Sequence, residues 1–156
     1  MVRYKPAARL WYMISKSLLD AAKAFLCWDV FQDLSIQLVP LQNAVAYYYP
    51  PGGSLHSIVL FYDPAQPDFS EPLFLLFHEA GHACQWRQMQ TCGQGELFQR
   101  LMGLDKGLEK VSFETEAWLL GKELFIQFAG SRGLSPGLPD RFESYGRQCV
   151  TSYDHG

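Results

Sequence analysis

The spacing of hydrophobic positions changes along this chain, and each change marks an element. Over residues 7–27, Leu10, Trp11, Ile14, Leu18, Ala22 and Phe25 recur three or four apart, which predicts an amphipathic helix. Three β-prone runs follow: LSIQLVPL (34–41), NAVAYYYP (43–50) and HSIVLFYD (56–63), with PPGG (50–53) as the turn between the last two. Pro64 and Pro67 close this region. DFSEP then reads as a helix start, with Ser70 as N-cap and Pro72 just inside. Residues 71–90 carry a helical pattern that is apolar nearly all round, and 92–107 is a glycine-containing connection holding a short helix. A third strong helix is predicted over 112–130, a loop over 130–140 and a last short helix over 140–151. The order helix, small sheet, helices describes an α+β fold. No repeat, low-complexity tract or linker divides residues 1–156, so they are expected to form a single domain.

Composition adds limits to this picture. A chain of 156 residues buries a core without disulfide staples, and 48% hydrophobic against 19% charged residues excludes disorder. The aromatic share, 15%, points to a core of large side chains. With a net charge of −3 and no block of like charge, neither nucleic acid nor an anionic membrane is an expected partner. Cys27, Cys84, Cys92 and Cys149 form no C-x-x-C pair and read as free thiols. Lys16, Asp20 and Lys23 interrupt the first apolar stretch, so it reads neither as a signal peptide nor as a membrane span, and a cytoplasmic location is expected.

The candidate chemistry lies in LFLLFHEAGHACQW, where polar residues interrupt the most apolar helix. On a helix His78 and His82 are i and i+4, so their rings leave one face a turn apart. Two imidazole nitrogens placed so can share one tetrahedral Zn²⁺ at roughly 2.0–2.1 Å each. Glu79 is rotated off that direction and reaches a water instead of the ion. Zinc brings the pKa of such a water towards ~7, and a neighbouring carboxylate can take its proton during attack on a carbonyl. A solvated polar face is the plain alternative, but burying these groups without partners would cost several kcal/mol. Gly81 costs about 1 kcal/mol against alanine in a helix, so its small size is expected to serve packing.

A third ligand is sought in SFETEAWLLGKELFIQF. At about 100° per residue, Glu114 lies about 50° from the centre of the face made by Phe113, Ala117, Leu120, Leu124 and Phe128. Glu116 lies about 110° away on the same projection, beside Glu123 and Gln127. Glu114 is therefore favoured as the inward carboxylate, with Glu116 the alternative. A boundary carboxylate favouring the helix dipole is the plain reading of Glu114. Ala117 and Gly121, near Glu114, would let this helix approach the one bearing the histidines. Cys84 points about 200° from His82 and is poorly placed to ligate.

HEAGH followed downstream by ETEAWLLG resembles the gluzincin metallopeptidases, most closely the compact ImmA/IrrE-type group. That group's downstream pattern is a glutamate, two residues and an alanine, which on Glu114-Thr115-Glu116-Ala117 carries the ligand role to Glu114. Position 118 is Trp where the group often has Asn or Asp. The resemblance implies a single zincin-like domain: an N-terminal helix, a small three-stranded sheet, the HExxH helix and a downstream glutamate-bearing helix. It implies Zn²⁺ on His78, His82 and Glu114, Glu79 as catalytic base, and a peptide or protein substrate. In zincins the strand before the histidine helix is the edge that aligns substrate, and HSIVLFYD holds that place here. An oxyanion donor is expected among His56, Tyr62, Tyr145, Tyr153 and His155. The rival class is a non-catalytic binding or regulatory protein that keeps the zincin fold with or without its metal.

Overall fold

A computed structural model describes residues 13–53 and 55–154. The first part of the helix expected over 7–27, with Leu10 and Trp11, lies outside the described residues, as does His155. The first described helix, α1 (Lys16–Ala24), is capped by Ser15, whose hydroxyl accepts from the Leu18 N–H at 3.2 Å. The chain then widens into a π-helical segment, Phe25–Val30, so the helical stretch runs past residue 27. Leu19, Ala22 and Leu26 turn inward from it.

Strands β1 (Leu34–Pro40), β2 (Val45–Tyr49) and β3 (His56–Tyr62) form one mixed sheet in the order β1-β3-β2. β3 runs parallel to β1 and antiparallel to β2, with Ile58 opposite both Ile36 and Tyr48. HSIVLFYD is therefore the central strand, which corrects its expected place at the edge. The hairpin with β2 occupies only one side of β3, and β1 takes the other. Alternation along β3 buries His56, Ile58, Leu60 and Tyr62, whereas β2 buries Tyr48 and exposes Val45, Tyr47 and Tyr49.

The second helix, α2 (Ser70–Thr91), lies against the sheet. Phe69, not Ser70, holds the N-cap position, and just before it Asp68 Oδ1 accepts from the Ser70 N–H at 3.1 Å and the Ser70 hydroxyl at 2.6 Å. Ser70 is already the first helical residue. The same Oδ1 accepts from the Ile14 N–H at 2.9 Å and ties the approach to α1 to this corner.

Helices α3 (Gly95–Met102), α4 (Leu108–Ser131) and α5 (Leu138–Thr151) complete the α+β fold. Gly107, at φ 101°, turns the chain into α4, which so begins before the expected residue 112. α2 and α4 cross at two glycines. A Cβ on Gly81 would overlap the Ala117 carbonyl oxygen, and one on Gly121 would overlap that of Phe77. The crossing brings the two helix backbones into contact, as the small residues suggested. Beneath it lies an aromatic core, with Phe77 and Phe125 centroids 5.2 Å apart and Phe125 stacked on Phe142 at 4.9 Å. Among the described residues no helix is long and apolar enough to cross a membrane.

Candidate metal centre

Because α2 is covered by the sheet on one side and by α4 on the other, the polar residues in its middle are inside. His78, Glu79, His82 and Gln85 are all buried, as are Glu114 and Lys110 on α4. Such groups stay folded only with partners. His78 Nε2 lies 3.0 Å and His82 Nε2 3.1 Å from Glu114 Oε2. Ligands about 2.0–2.1 Å from one tetrahedral ion stand roughly 3.3 Å apart, so these spacings are close to those a metal requires. One ligand atom from each of the three residues lies within 4.8 Å of the others, and the group can hold a metal ion. Glu114 belongs to this cluster. Glu116 is exposed and accepts from Gln85 Nε2 at 3.3 Å.

Each histidine is oriented differently. His82 Nδ1 meets Gln85 Oε1 at 2.7 Å, and Gln85 Nε2 donates to the Phe113 carbonyl at 2.8 Å. The amide is thus fixed with its oxygen towards the ring, so Nδ1 carries a proton and Nε2 faces Glu114. His78 stacks on Trp118, centroids 4.2 Å apart and planes 17° apart. Its Nδ1 has no hydrogen-bond partner among the described residues. Stacking on Trp118, not a hydrogen bond at Nδ1, therefore orients this ring.

Burial lowers the His78 imidazole to about 4 despite its contact with Glu114. Burial works the same way on His82, but the Glu114 hydrogen bond and the Glu79 charge outweigh it and its pKa rises. Glu114 is pushed up by burial and pulled down further by His78 and His82, so it stays ionised. Glu79 is dominated by burial, which lifts it to about 7 although His82 and Lys110 draw it down. The Tyr48 backbone on β2 also lowers it.

His78 and Glu79 face a cleft of about 210 Å³ walled by Val45, Ala46, Leu75, Trp118, Tyr145, Cys149 and Tyr153. The strand bordering it is β2. Of the expected oxyanion donors, Tyr145 and Tyr153 reach this cleft, whereas His56 is bound to Tyr48 and Asp33 and Tyr62 packs on Phe69. Tyr145 already donates to Glu71 Oε1 at 2.9 Å. Tyr153 is pinned through its backbone, its carbonyl accepting from the Gly107 N–H at 3.1 Å. Burial, then the Glu114 and Glu79 charges, push its phenol up to about 12, so the hydroxyl keeps its proton and can donate a hydrogen bond.

Sequence reasoning missed Lys110, Gln85 and the part played by Trp118. Gln85 carried a usable signal, since i+3 from His82 on a buried helix is within reach of its ring. No family model, no curated protein and no solved structure matches the chain.

Proposed function

We propose that this protein is a zinc-dependent metallopeptidase of gluzincin type, with His78, His82 and Glu114 as ligands and Glu79 as general base. One observation carries the reading: three buried donor atoms from two helices converge, and Glu79 stands beside them facing a cleft. Two imidazoles and one carboxylate suit zinc and leave a coordination position free, the arrangement of catalytic rather than structural sites. When bound, the metal supplies Lewis acidity, acidifying water and polarising a carbonyl. Glu79 takes the proton of the attacking water and delivers it to the leaving amine. Tyr153 donates to the oxygen that gains charge. β2 offers its unpaired edge to an extended peptide, and the apolar cleft walls receive a side chain.

Metal analysis of the pure protein, read with two variants, tests this. The expected result is about one zinc per chain, lost in His78→Ala and kept in Glu79→Gln, which no longer cleaves peptides. Absence of stoichiometric zinc, with His78→Ala behaving as the parent, defeats the reading. A second reading, a non-catalytic binding protein on a zincin-like fold, is favoured by the ion pair of Lys110 with Glu114, which balances that carboxylate without any ion. Zinc retained with no cleavage of any peptide by the parent supports that alternative.

A further inference from the structure

Lys110 is 5% exposed, which is rare for lysine and demands an explanation. Its ammonium lies 2.9 Å from Glu114 Oε1 and donates to the Met102 carbonyl at 3.1 Å. The rings of Phe113 and Tyr153 lie 5.6 and 5.5 Å from it. The other carboxylate oxygen, Oε2, is the one facing His78 Nε2 at 3.0 Å and His82 Nε2 at 3.1 Å. The two oxygens of one side chain are thus divided between two sets of partners.

That division has a consequence for metal binding. A glutamate free at both oxygens can close on an ion with both, which fills a position that water and substrate need. A buried ammonium on Oε1 opposes this, because turning Oε1 to an ion would strip a charge-assisted hydrogen bond from a buried lysine. We propose that Lys110 is a positioning residue that restricts Glu114 to ligation through Oε2 alone. The inference rests on the metal site of the peptidase reading. Lys110 touches neither substrate nor metal; it acts through Glu114. Its own position is set by Gly107, which starts α4 early enough to place Lys110 one turn before Glu114.

Cobalt(II) substitution reads this directly, because visible absorption weakens as cobalt gains ligands. Cobalt-loaded parent and Lys110→Arg should share one spectrum, and Lys110→Met should lose intensity as Glu114 closes on the ion with both oxygens. An unchanged spectrum in Lys110→Met overturns the inference. If that variant fails to fold, a crystal structure of the zinc-loaded parent decides: Oε2 alone on the metal with Lys110 on Oε1 supports it, and both oxygens on the metal overturn it. A parent that takes up neither cobalt nor zinc removes the metal reading and this inference together. Metal uptake with an unaltered variant spectrum removes only the inference.

Discussion

Glu79 carries a charge that its surroundings oppose, and this has a measurable sign. Its folded pKa, about 7, lies above the ordinary 4.5, so between those values the metal-free folded protein holds a proton that the unfolded chain has released. Its stabilising contribution is complete below pH 4.5 and lost as pH rises to about 7. His78, lowered to about 4, acts oppositely between there and 6.5, so the parent profile mixes both. The difference between Glu79→Gln and the parent isolates the glutamate. Metal-free Glu79→Gln should match the parent near pH 4 and exceed it above pH 7 by up to about 3 kcal/mol in urea unfolding. Equal stability at high pH would mean that the carboxylate is solvated. On the peptidase reading, Tyr153 has a kinetic signature instead. Tyr153→Phe should lower kcat by about 100-fold with little change in KM. Tyr145→Phe should cost less, because that hydroxyl is already engaged by Glu71.

The site depends on how closely two helices approach. Gly81→Ala places a methyl against the Ala117 carbonyl, and a backbone cannot swing aside as a side chain can. The expected loss is about 3 kcal/mol, the upper end for overpacking. Because Gly81 adjoins His82, zinc affinity should fall with it, measured by competition with a chelator; unchanged stability would mean the helices are farther apart than described. This crossing was legible before the fold was known. Helical period alone puts His78 and His82 on one face and turns Glu114 inward, and Gly81 and Gly121 signal a close contact. Other parts were hidden for physical reasons. Lys110 precedes the expected start of α4, so its one-turn relation to Glu114 could not be read. The edge place expected for β3 rests on the zincin resemblance alone, and alternation along a strand does not encode which side of a hairpin a distant strand joins. Tyr153 reaches the cleft only through the fold of the chain end over Gly107.

At the scale of the molecule, a metal would join α2 to α4, yet the fold has independent support. Phe74, Phe77, Phe125, Phe128 and Phe142 are buried across α2, α4 and α5, and Lys110 with the two histidines satisfies Glu114. This distinguishes the protein from small zinc domains that unfold without their ion. The stripped protein should therefore still melt in one cooperative transition. Free zinc at about a thousand times its Kd adds about 4 kcal/mol by mass action, or roughly 10 °C in Tm for a chain of this length. Chelator should reverse the rise, and His82→Ala should show none. A stripped chain without a cooperative transition would mean that the aromatic core is insufficient and the metal holds the helices together. A parent whose Tm ignores zinc would leave the cluster as a self-satisfied network of Lys110, Glu114 and two histidines, the metal-free form of the non-catalytic reading.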